Sequence, residues 1–291
     1  MENPRVASRA LPLMLSCLAA ASFLLASCAS PPLPAPVLPA RSTQARGLVV
    51  IAHGSGDTAR EWPLRLERAL RELPVPQHHW DIHRIDWYEA SVDRLAAPAA
   101  GYRIGHGVGR QIAERRAGYQ VIHLVAHSAG AHLIHGIADG FTSATSSAGS
   151  ASVAAAPTGA ARAASEPAAS EPAVLLATFL DPFVARSVFQ MRWGVSRFGA
   201  NVLAAENYFA AGDPVPFTNT ALDHARNVDL TPLVPPRDDP PSDYVHYWPI
   251  QFYIQGTADH PAGILGSPMA LLEDRITARH ARARFASEAG L

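Results

Sequence analysis

Short, unbroken apolar runs recur along this chain, and helical patterns separate them. Gly47 to Ala52 reads GLVVIA, which is too short for a helix and rich in β-branched residues, so it predicts a strand buried on both faces. Gln120 to Ala126, QVIHLVA, and Val174 to Leu180, VLLATFL, repeat that signature. His83 to Tyr88 and Val202 to Phe209 are the next strands by the same pattern, and Asn227 to Leu230 is the weakest. Between them, leucines and arginines from Thr58 to Leu73 alternate at helical spacing, with Asp57 placed to cap the first turn. Ile104 to Ala117 and Ala129 to Ala138 also read as helices, and further helices are expected after His246 and after Ser267. Strands alternating with helices imply the α/β class, with a mostly parallel central sheet flanked by helices on both faces.

The two ends of the pattern differ from its middle. Arg5 and Arg9 precede an apolar run from Leu11 to Leu25, which has the build of a secretory signal peptide and is short for a membrane span. An anchor helix that continues uncleaved through Ser30 is the other reading. Leu25, Ala26, Ser27 and Cys28 resemble the bacterial lipobox, which implies removal of residues 1–27 and a lipid on Cys28. Ala29 after that cysteine is similar to sorting signals that direct lipoproteins to the outer membrane. Residues 28–46 read as a proline-rich linker, since PPLPAPVLP favours an extended polyproline path and offers no core element. The domain then occupies residues 47–291. Within it, Thr142 to Pro172 is alanine- and serine-rich and lacks the large side chains that would offset ordering entropy, which predicts a flexible insertion or a lid.

Composition narrows the class of function. With 291 residues, 48% hydrophobic and 17% charged, the chain can bury one sizeable core. Its 24 basic residues, all arginine, balance 25 acidic ones for a formal charge of −1, so no electrostatic footprint for nucleic acid is present. Of the two cysteines, Cys17 falls in the discarded segment, which leaves no disulfide, no cysteine nucleophile and no thiolate metal site. His78, His79 and His83 cluster without an acidic partner at ligand spacing, so no metal is expected.

The chemistry concentrates at strand ends. Ala126, His127, Ser128, Ala129 and Gly130 stand directly after the strongest strand and before a helix, the pattern small-x-Ser-x-Gly. A turn that tight strains the serine backbone and excludes bulk two residues to either side, while the helix start aims the Ala129 amide where an oxyanion forms. Thirteen histidines compete to be its base. His246 stands late in the chain at the start of an aromatic helix, SDYVHYWPIQFYIQ, whereas His224 and His260 are weaker candidates. His127, His132 and His135 sit beside the serine and read as packing residues. Asp181 in TFLDPF and Asp213 in FAAGDPVP each end a strand, where an acid could orient the base.

Taken together, these residues resemble an α/β-hydrolase, closest to lipases and esterases, from Gly47 to Gly256. The resemblance implies Ser128 as nucleophile, His246 as base and, from the LDP segment, Asp181 as acid, with Asp213 the alternative. His53, Gly54, Ser55 and Gly56 resemble the oxyanion loop of that family, which implies the Ser55 and Ala129 amides as the oxyanion hole and leaves the His53 ring structural. The implied activity is hydrolysis of small-molecule or lipid carboxylic esters through an acyl-enzyme, with no cofactor. Thioester, amide or polyester substrates and a non-catalytic binding lipoprotein of the same fold remain alternatives.

Overall fold

The computed structural model describes residues 35–73, 76–115, 118–154, 173–237 and 241–259. Six strands form one sheet, all neighbours parallel: β1 (Gly47–Ala52), β2 (Trp80–Ile85), β3 (Val121–His127), β4 (Val174–Leu180), β5 (Ala204–Phe209) and β6 (Arg226–Asp229), in the order β2-β1-β3-β4-β5-β6. β1, β3 and β4 are buried along nearly their whole length, which explains why they read as continuous apolar runs rather than alternating ones.

Helices cover both faces. α1 (Trp62–Arg71) and α5 (Tyr244–Asp259) pack on one, where Val49, Ile51, Leu66, Val125, Tyr208 and Ile250 form a core. α3 (Ala97–Arg115) and α4 (Gly130–Ala154) lie on the other, over Leu48, Val50, Ile122 and Leu124; the short α2 (Tyr88–Ser91) precedes them. The α3–α4 seam is close enough that a Cβ on Gly105 would sit 1.9 Å from the Leu133 carbonyl oxygen, and one on Gly140 would sit 2.2 Å from that of His106. Glycine is required there because backbone meets backbone.

Several expectations shift. α1 begins at Trp62 rather than Thr58, and its N-cap position is Glu61 without a side-chain cap; Asp57 turns inward instead. β2 spans Trp80–Ile85 rather than residues 83–88, because Trp87 leaves the strand so that its indole N–H can reach the His53 carbonyl at 2.9 Å. α3 starts at Ala97, seven residues before the expected Ile104, since glycines that would weaken a lone helix are what let it seat on α4. α4 runs on through Ala154, so the first part of the expected flexible insertion at Thr142 is helical, in keeping with its alanine content. The remainder, residues 155–172, and the helix expected after Ser267 lie outside the described residues.

The described part of the proline-rich segment is seated on the domain. Gln111 of α3 clamps it, donating to the Pro36 carbonyl and accepting from the Leu38 amide, and Leu38 joins the core. Ser42 bonds the Asp81 carboxylate through both its amide and its hydroxyl, and Tyr119 donates to the same group at 2.6 Å. Residues 1–34, with Cys28, lie outside the described residues.

Candidate active site

In a parallel sheet the strands all deliver their following loops to one edge, so residues distant in sequence converge there. Ser128 follows β3 with φ +51°, a left-handed conformation that a serine adopts only when its surroundings enforce it. Its amide donates to the Leu180 carbonyl and its carbonyl accepts from Phe183, so the turn is held from the β4 side. From the β1 side, a Cβ on Gly130 would lie 2.6 Å from the His53 carbonyl oxygen, which gives the physical reason for glycine two residues after the serine. Ser128 is 8% exposed.

Residues 53–57, after β1, border the serine: a Cβ on Gly54 would meet Ser128 Cβ at 3.1 Å. The His53 ring bonds the Gly54 carbonyl through Nδ1 and accepts from the Trp87 amide through Nε2, which ties this loop to the start of α2. The Ser55 hydroxyl donates to the Ser91 carbonyl. Neither the Ser55 nor the Ala129 amide donates to a backbone acceptor among the described residues, so both N–H groups remain available.

His246 is the second residue of the α5 helix after Tyr244, and it is buried. Its Nδ1 lies 2.8 Å from Asp213 Oδ2 and 3.0 Å from Asp181 Oδ2, so both candidate acids reach it at once. Asp181 sits at the end of β4 with φ +45° and accepts from the Asn219 amide at 2.8 Å. Asp213, after β5, accepts from the Val215 amide at 3.0 Å and from the Thr218 hydroxyl. Burial, together with the neighbouring Asp213, pushes the Asp181 carboxyl up to about 7 despite His246. Burial also works to raise Asp213, but bonds from His246, Asp181, Thr218 and Val215 outweigh it and hold that carboxyl at about 2. For His246, burial alone would lower the pKa, and the two carboxyl groups reverse this and lift it to about 9. No hydrogen bond joins Ser128 to His246 among the described residues; in ligand-free sites such contacts are commonly long and tighten around substrate.

A second buried network, which no local sequence pattern marks, lies directly behind. His127 packs against His246 with ring centroids 4.4 Å apart, and its Nε2 donates to the His246 carbonyl at 3.2 Å. Its Nδ1 faces Asp57 Oδ2 at 3.6 Å. Asp57 also accepts from the Gly54 amide and the Tyr247 hydroxyl. Burial favours a neutral Asp57, but His127, Tyr247 and Gly54 prevail and hold it at about 2. One carboxylate therefore fixes the loop beside the serine and, through Tyr247 and His127, the residue that would be its base. Residues 57, 127 and 247 are too far apart in the chain for any local pattern to pair them.

The other candidates fall elsewhere. His224 is exposed and His260 lies outside the described residues. His132 and His135 pack against Trp193 and Phe198 under the loop after β4. His78, His79 and His83 belong to no metal-binding group among the described residues. Asp181, Asp213 and His246 do bring three oxygen or nitrogen atoms within 4.8 Å of one another, but N–H and O–H donors already point at those oxygens, a setting suited to negative charge and protons rather than to a cation.

The parallel sheet and the strained serine turn at the end of β3 define an α/β-hydrolase fold. No protein-family model and no curated protein matches the sequence. Among solved structures, the chain is similar to esterase PE8, with a TM-score of 0.34 and 16% identity over 63% of this chain and 77% of that one. It is also similar to Est2, a thermophilic esterase from the Planctomycetes species Thermogutta terrifontis with propionate bound, at a TM-score of 0.34 and 13% identity over 65% and 73%. RedJ with a PEG molecule in its active site gives 0.29 and 15% over 79% and 98%. Superpositions at this level leave the functional reading to the site itself.

Proposed function

We propose that this protein is a serine hydrolase that cleaves carboxylic esters through an acyl-enzyme on Ser128. The observation that carries the reading is the strained Ser128 turn at the same sheet edge as a buried histidine whose Nδ1 is bonded to carboxyl groups. A serine of ordinary pKa needs a base, and a histidine oriented through Nδ1 presents Nε2 for that task. Ser128 Oγ attacks the ester carbonyl as His246 Nε2 takes its proton, and the Ser55 and Ala129 amides hold the oxyanion. His246 returns the proton to the leaving alkoxide, and water then releases the acyl group by the same route in reverse.

The protein is further proposed to be exported and anchored at the outer membrane by a lipid on Cys28, on the strength of the Leu25 to Cys28 pattern. Mass analysis of the N-terminal peptide tests this: an unmodified Cys28 sinks it.

The catalytic reading is tested with a fluorescent fluorophosphonate probe on the detergent-solubilised full chain beside Ser128→Ala. Labelling that vanishes in the variant is the expected result. Folded wild-type protein that never labels returns the chain to the binding-lipoprotein class.

A further inference from the structure

Two carboxyl groups and one imidazole nitrogen pose a problem of proton counting. His246 Nδ1 carries a single hydrogen, yet Asp181 Oδ2 and Asp213 Oδ2 both lie within 3.0 Å of it, and the two carboxyl groups bring oxygens within 4.8 Å of each other. Asp181 is fully buried and Asp213 is 6% exposed. Two ionised carboxylates this close require a cation between them or a proton shared by them. Among the described residues the surrounding titratable groups supply no cation: Asp57 is an anion behind His127, Tyr247 donates a neutral hydroxyl to it, and burial lowers the pKa of His127. His246 could be the cation, but a general base must be neutral before it acts. In the reactive form of the site, with His246 neutral, the proton held between the two carboxyl groups therefore belongs on one of them. Besides His246, Asp213 has an amide and a hydroxyl donating to it, whereas Asp181 has a single amide, so the negative charge is better solvated on Asp213.

We propose that the acid of this site is a carboxyl pair that shares a proton whenever His246 is neutral, with Asp213 carrying the charge that orients His246 and Asp181 carrying the proton as a positioning residue. The proposal rests on the ester-hydrolase reading, since the proton is placed by the need for a neutral His246, and the histidine titration tests it separately from activity.

The test compares full-length wild type with Asp181→Asn and Asp213→Asn. Asparagine suits position 181, since it tolerates the φ of +45° and its amide can imitate a protonated carboxyl. On a p-nitrophenyl butyrate probe, Asp181→Asn is expected to lower kcat by about tenfold and Asp213→Asn by about 10³ to 10⁴, the loss seen when a triad histidine is left in the wrong tautomer. In ¹⁵N-histidine spectra, the His246 resonance of wild type is expected to shift in two steps with pH, and that of Asp181→Asn in one. A larger kcat loss in Asp181→Asn than in Asp213→Asn overturns the assignment, as does a single-step wild-type titration identical to that of Asp181→Asn. If wild type hydrolyses no ester, the proposed function fails, and the histidine spectra still decide the pair. Should Asp213→Asn not fold, Thr218→Val replaces it: removing the hydroxyl that stabilises charge on Asp213 should alter the two-step titration, and an unaltered one overturns the proposal.

Discussion

Replacing Asp57 by asparagine keeps the shape of the side chain and removes its charge. In the folded protein the carboxylate is buried, takes hydrogen bonds from Gly54 and Tyr247, faces His127 and has its pKa lowered from 3.8 to about 2. At about 1.4 kcal/mol per pKa unit, the charged form contributes roughly 2 kcal/mol to stability at neutral pH. Because the folded pKa is the depressed one, this contribution is complete above the unfolded value of 3.8, has fallen by about half near pH 3, and is lost as pH drops through about 2. Asp57→Asn should therefore be about 2 kcal/mol less stable than wild type at pH 7, a fall in Tm of about 4 to 8 °C for a domain of this size. Urea unfolding of both proteins between pH 7 and pH 3 is the assay, and the gap should narrow with acid. A variant as stable as wild type at pH 7, or a gap that stays constant down to pH 3, would refute this account of Asp57.

Other changes give separate checks. Gly105→Ala forces a methyl into the Leu133 carbonyl and should cost about 3 kcal/mol in urea unfolding, whereas the same change at Gly56, where a Cβ meets nothing within 4 Å, creates no such clash and leaves only its φ of +81° as strain. Glu206 is pushed up to about 7 chiefly by burial, against the Tyr208 hydroxyl and Arg226. A raised folded pKa gives stability that is complete below the unfolded value of 4.5 and lost as pH rises through about 7, so Glu206→Gln should raise Tm at pH 8 and not at pH 4. Tyr247→Phe removes the hydroxyl that donates to Asp57 and should lower stability by about 1.5 to 3 kcal/mol. For the proposed reaction, His127→Phe keeps a ring beside His246 but removes the bond to its carbonyl, and kcat should fall with KM little changed; full activity would show that His127 only packs.

By itself the sequence determined the centre of the sheet and the serine turn. β1 and β4 form over the same residues that their apolar runs mark, because a strand buried on both faces has no polar position to blur its ends. Ser128 was legible because a strand, a tight turn and a helix are contiguous in the chain, and the strain at φ +51° and the crowding at Gly130 are local consequences of that turn. The peripheral elements were less legible. β2 ends early because Trp87 is drawn to His53, and α3 extends across its glycines because α4 lies against them; neither partner is near in sequence. Leu38 likewise becomes a core residue only because Gln111 holds its backbone in place. Only the tertiary structure decided how the two acids meet His246. As sequence, Asp181 and Asp213 were alternatives, one for each strand end. Parallel β4 and β5 are adjacent in the sheet and deliver both loops to the same point, so the two carboxyl groups reach the same nitrogen of His246.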